Sequence, residues 1–205
     1  LTTLTNTAAA SRVPVLADLF ANTRVRSMLL VLGGALFTAI CAQITIPMTP
    51  VPMTAQTLAV VLVGSALGWK RGAAALALYA VLGLFLPVFA DFSSGLAVIT
   101  GATGGYIVGF IFAAAAVGFL AERGSDRKVL TAFASFVGGQ AIIFAFGLAG
   151  LKLAAPGLVE AGVMASASWG AVIHSGFTIF IIGGLVKAAV GALLMPAAWK
   201  LAERS

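Results

Sequence analysis

The 205 residues are 61% hydrophobic and only 9% charged, against about 25% charged in an ordinary soluble domain, and the mean hydropathy is +1.11. So few charges exclude a water-soluble globule; at about 20 residues per crossing the length accommodates roughly six or seven membrane helices and no sizeable soluble domain. The net charge of +6 is spread along the chain, which argues against nucleic acid, and a single cysteine, Cys41, excludes an intrachain disulfide and a cysteine-based metal cluster.

Residues 1–26 carry Arg12, Arg24 and Arg26 and no apolar run long enough to span. They are expected to form a cytoplasmic tail, with a short amphipathic helix around VPVLADLF. A cleaved signal peptide fits poorly, because the apolar run after Arg26 is too long for an h-region and lacks an A-x-A site. An all-α membrane domain of six transmembrane helices then occupies 27–200, before a short tail at 201–205. The first span, 27–46, stops at the proline-rich IPMTPVP. The second, 55–67, closes at GWKRG, and the third, 72–86, ends at Pro87; both are short for a full crossing. FADFSSGLAVITGATGG leads to the fourth, 106–120, ERGSDRK to the fifth, 129–153, and LAAPGLVEAG to the sixth, 169–199.

The charges alternate along this ladder. Arg24 and Arg26, then Lys70 and Arg71, then Arg123, Arg127 and Lys128, and finally Lys200 and Arg204 fall on one side. The other side has Lys152 at the end of the fifth span, with Asp91 and Glu160. The positive-inside rule then puts both termini in the cytoplasm of a multi-pass protein. Trp69, Trp199 and Trp169 fall at expected interfaces. Ala35 and Ala39 make a small-xxx-small pair on the first span, which serves either helix docking in lipid or packing within the chain.

Lys187 is the one basic residue at depth. It lies twelve residues from Trp199, roughly 18 Å along a helix, too far for its stem to snorkel. No Asp or Glu lies within a span, so a bound carboxylate is the natural counter-charge; a structural or neutral lysine is the alternative. Gln43, Thr54, Gln56, Thr57, Tyr79 and Gln140 are polar groups able to complete a cavity. The run GATGGY, from Gly101 to Tyr106, lets a backbone approach a ligand closely. His174 stands alone and reads as interfacial rather than as a metal ligand. Catalysis has little support: no intramembrane aspartate pair, His-Glu-x-x-His run or Asp-rich diphosphate motif occurs, and GLAGLK is not a P-loop. No cofactor or metal is expected. Active transport would need energy from another subunit or a gradient.

The stretch from IPMTPVPMTAQT through LPVF to GATGGYIVGF resembles the BioY family, the biotin-binding S components of energy-coupling factor (ECF) transporters. Thr54, Gln56 and Thr57 match its T-x-Q-T; Leu67, Gly68 and Gly72 its L-G-x-x-x-G; Tyr79 and Gly83 its Y-x-x-x-G; Pro87, Val88 and Phe89 its P-V-F. Gly101, Thr103, Gly104, Gly105 and Tyr106 match G-P-T-G-G-Y, with Ala102 in place of proline. On the sixth span the family's G-D-x-x-K is Gly183, Gly184, Leu185, Val186 and Lys187, keeping the lysine without the acid. The resemblance implies a non-enzymatic subunit of a prokaryotic cell membrane that captures biotin from outside, under a lid formed by the loop between spans one and two. It also implies docking through Ala35 and Ala39 to a transmembrane coupling subunit joined to two ATPases. Substrate contacts would come from Lys187, Thr54, Gln56, Tyr79, Phe89, Gly101, Thr103, Gly104, Gly105 and Tyr106. Another small carboxylate in the same architecture, or a small membrane enzyme using Lys187, is the alternative.

Overall fold

A computed structural model describes residues 15–19 and 23–202. Helix α1 (Arg24–Ala42) starts three residues before the expected 27, because the Thr23 hydroxyl accepts the Arg26 amide at 3.2 Å and caps the first turn. The proline-rich stretch after it forms a small antiparallel hairpin. Its strands are β1 (Thr45–Ile46) and β2 (Met53–Thr54), with Thr45 opposite Thr54.

Helical hydrogen bonding then runs through α2 (Gln56–Phe85), but not in a straight line. Gly68 has φ +81° and ψ 174°, in a region that L side chains rarely adopt, and the chain folds back there. A Cβ on Gly72 would lie 3.0 Å from Cα of Gly64, although eight residues of straight helix span roughly 12 Å. The two arms, 56–67 and 69–85, therefore lie antiparallel, as the second and third predicted spans. Glu122 accepts the Trp69 amide at 3.1 Å and satisfies the start of the second arm.

Further along come α3 (Leu96–Thr100), α4 (Gly104–Ala121), α5 (Val129–Glu160), α6 (Trp169–Gly176) and α7 (Ile181–Ala202). Helix α5 continues through LAAPGLVE, where a connection was expected. Leu151 and Ala155 are buried on one face, so packing outweighs the backbone bond that Pro156 removes. The sixth predicted span is interrupted: Phe177 (φ −139°, ψ −57°) divides α6 from a 3-10 turn, Thr178–Phe180, and α7.

Among the described residues, five stretches are long and apolar enough to cross a bilayer; the one containing α2 folds back, so these pack as six rods. Phe85, Leu153 and Ile182 are 80%, 84% and 77% exposed, a surface suited to lipid rather than water. One end of the bundle gathers the basic loops. Asp18 pairs with Arg71, Trp199 donates to Asp126 at 2.8 Å, and the Arg127 guanidinium lies 3.4 Å from the Trp199 ring centre. Residues 15–19 pack at this end, with Val15 and Ala17 buried. The rest of the expected amphipathic segment, and Arg12 and Arg204, lie outside the described residues. The β-hairpin, the 86–103 connection and the Phe177 break lie at the opposite end.

Candidate functional site

At that opposite end is a cavity of about 300 Å³, in the range of small-molecule pockets. Phe110 and Ile107 of α4, Phe144 of α5 and Phe180 form its apolar wall. Thr54, Gln56, Thr57, Thr103, Tyr106 and Lys187 supply polar groups, and Pro50, Val51 and Pro52 of the hairpin loop lie across one side.

Lys187 enters from α7. Its ammonium donates to the Thr54 carbonyl at 2.5 Å and, at 3.4 Å, to the Thr57 hydroxyl. No carboxylate lies within ion-pair distance of it among the described residues. Two neutral oxygens leave a largely buried cation undercompensated. Asp91 reaches the cavity from its rim, on an exposed turn.

A chain of hydrogen bonds fixes the adjacent wall. The Thr54 hydroxyl donates to Gln56 Oε1 at 2.8 Å, Gln56 Nε2 donates to Tyr79 Oη at 2.6 Å, and Tyr79 donates to the Val88 carbonyl at 3.2 Å. The Gln56 amide is thereby oriented, with one N–H left over. Gln43, at the end of α1, holds the rim: its Nε2 donates to the Phe89 carbonyl at 3.0 Å and its Oε1 accepts from the Phe92 amide at 3.0 Å. Both Asp91 (φ 56°) and Phe92 (φ 54°) are left-handed. That conformation is costly outside glycine, and the Gln43 clamp helps hold it. Tyr106 donates to the Gly176 carbonyl at 2.6 Å, which the break at Phe177 leaves available, and its ring meets Phe144 edge-on.

Of the residues singled out in the sequence, Lys187, Thr54, Gln56, Phe89, Gly101, Thr103 and Tyr106 line the cavity. Tyr79 stands behind Gln56 rather than in the wall. Gly104 and Gly105 serve helix packing: a Cβ on the first would fall 1.6 Å from the Ile99 carbonyl oxygen, and on the second 2.4 Å from that of Phe146. The Ala35/Ala39 pair is turned inward. Ala35 is fully buried and Ala39 half-buried, while the adjacent Gly34 abuts Ala75, Val63 and Leu67 of α2. Small residues here permit close packing within the chain, and the outward face of α1 carries Leu32, Leu36, Phe37 and Ile40 instead. Phe110, Phe144 and Phe180 were not legible as site residues, because in an apolar span a pocket aromatic carries no signal that distinguishes it from a lipid-facing one; Asp91 was legible only as a charge between spans. His174 is exposed on α6.

These features define a polytopic helical membrane protein with a small-molecule pocket enclosed at one end. Residues 10–204 match the BioY family, and the chain belongs to it. It is 38% identical to "Biotin transporter BioY" of Thermotoga maritima over 165 residues, covering 78% of this chain and 90% of that protein. It is 35% identical to "Biotin transporter BioY" of Rhizobium etli, covering 78% and 87%. The crystal structure of an S-component for biotin from an ECF-type ABC transporter superposes with a TM-score of 0.73. The overlap covers 88% of this chain and 94% of that one at 21% identity, a likeness of fold. The relatives are named as transporters, not enzymes.

Proposed function

We propose that this chain is the substrate-binding membrane subunit of an ECF-type vitamin transporter and that its ligand is biotin. The observation that carries the reading is Lys187: an ammonium in a mostly apolar cavity, held by neutral oxygens. A ligand carboxylate would supply the missing charge, and Phe110, Phe144 and Phe180 suit an apolar ring and chain. The names of the relatives point to the same vitamin.

The pocket lies at the end opposite Lys70, Arg71, Arg123, Arg127, Lys128 and Lys200. With those basic loops in the cytoplasm, the pocket faces outward and both termini lie inside, the orientation of a capture subunit in a prokaryotic cell membrane. The hairpin loop 47–52 is its lid. The sequence carries no phosphate-binding loop, so uptake against a gradient draws on partners: a transmembrane coupling subunit and two ATPases. Because Ala35 is enclosed, α1 would meet such a partner through Leu32, Leu36, Phe37 and Ile40 rather than through the alanine pair.

A second reading, favoured by Gly184 in place of an acidic side chain, is the same mechanism for a different small carboxylate. Equilibrium binding of labelled biotin to the detergent-purified protein, competed with other small carboxylates, separates the two. Saturable binding displaced by unlabelled biotin alone supports the first; displacement by another carboxylate at lower concentration supports the second.

A further inference from the structure

Behind the cavity, α5 presents a buried amide that no described residue uses. Gln140 is 5% exposed, and neither its Oε1 nor its Nε2 has a hydrogen-bond partner among the described residues. Sequestering such a group unpaired is costly, and native proteins seldom do it without a reason. The reason is visible on the facing helix. Gly184 lines the cavity, and a Cβ built on it would meet Phe144 at 3.6 Å and Gln140 Oε1 at 3.8 Å. These are ordinary contact distances, so the Gln140 amide lies directly behind the Gly184 backbone in the cavity wall. No side chain at Gly184 stands between that amide and the cavity, and the Phe144 ring flanks it.

We infer that Gln140 is a second polar contact of the pocket, met beside Gly184, for a neutral ligand group with a donor next to an acceptor, such as a cyclic urea or an amide. This rests on the biotin reading, since biotin carries a urea as well as a carboxylate. The chemistry of the side chain favours this partner over an anion. A primary amide pairs edge to edge with a urea, its N–H to the urea oxygen and its oxygen to a urea N–H. A carboxylate would satisfy only Nε2 and leave Oε1 facing negative charge. The anion already has a place: Gly184 sits one turn before Lys187 on α7, but the lysine stem runs towards Thr54 and Thr57 of the neighbouring wall. The charged and neutral ends of one ligand thus meet different walls.

The test is the affinity of wild type, Gln140→Leu and Gln140→Met for biotin and for biotin amide, which keeps the urea and loses the negative charge. Both variants should bind both ligands about 10-fold or more weakly, because the urea would be left unpaired in a dry site. Their ligand-free melting temperatures should equal or exceed that of wild type, since an unsatisfied amide has been removed. Unchanged affinity in both variants overturns the assignment and leaves Gln140 as a core residue. Loss for biotin with none for biotin amide also overturns it, by assigning Gln140 to the carboxylate. If wild type binds neither ligand, the biotin reading fails and this inference with it; wild-type binding that Gln140 does not affect sinks the inference alone.

Discussion

Gln56 and Tyr79 are 23 positions apart in one run of helical hydrogen bonding, yet Nε2 of the first donates to Oη of the second at 2.6 Å. A straight helix would hold them roughly 34 Å apart. The fold-back at Gly68 makes the contact, and the contact in turn orients an amide in the pocket wall. Tyr79→Phe keeps the ring against Phe89 but leaves Gln56 Nε2 and the Val88 carbonyl without this partner. Destabilisation of about 1–3 kcal/mol is expected, with weaker ligand binding. Thermal unfolding with and without ligand reads both.

Helix α2 approaches α4 through glycine. A Cβ on Gly64 would lie 2.6 Å from the Ala114 carbonyl oxygen and 2.9 Å from its Cα, both main-chain atoms of α4. Backbone cannot yield as a side-chain tip can. Gly64→Val should cost about 1–3 kcal/mol or more by overpacking, whereas Gly33→Ala, with nothing within 4 Å, should be close to neutral. Comparing the melting temperatures of the two variants in one detergent checks this.

Much of the architecture was legible because lipid imposes simple demands. Apolar runs had to be spans, GWKRG and the proline-rich loop had to interrupt them, and a lysine at depth had to have a reason. What the sequence hid depended on which way a face turns. Ala35 and Ala39 read equally as a docking stripe or as packing, and the burial of Ala35 within the chain shows only once α2 is in place. Gly104 and Gly105 sit in a ligand-like glycine run, but their lack of side chains is used by Ile99 and Phe146. Pro156 looked like a helix end until the burial of Leu151 and Ala155 showed what holds the helix together across it. The importance of Phe144 is set entirely by its neighbours.

Asp126 gives the basic end of the bundle a pH dependence. It is fully buried, and burial raises its carboxyl above the ordinary 3.8, outweighing the hydrogen bonds from Trp199 and Ser65 and the nearby Arg127 charge, which act the other way. A raised folded-state value means that the stabilising contribution is complete below 3.8 and is lost as pH rises through the raised value. Asp126→Asn removes the titration while keeping an oxygen for Trp199 Nε1. The melting temperature of the variant should therefore gain on that of wild type as pH rises from acid to neutral. A gap that does not change with pH would contradict this.

Orientation is open to chemical labelling, because the one native cysteine, Cys41, is buried. In a Cys41→Ser background, Ser94→Cys beside the pocket should react with an impermeant maleimide added to intact cells. Gly124→Cys, in the basic α4–α5 turn, should react only after permeabilisation. The reverse pattern would place the pocket on the cytoplasmic side and end the capture account.

The central claim is that Lys187 lies in the membrane to meet a ligand carboxylate, and the affinity of wild type and Lys187→Ala for biotin and biotin amide tests it most directly. Wild type should bind biotin well, and either removing the ammonium or neutralising the carboxylate should cost about 2 kcal/mol or more. The two losses should not add when combined, since each breaks the same pair. Equal biotin affinity in wild type and Lys187→Ala, or losses that add in full, would show that the lysine and the carboxylate do not meet.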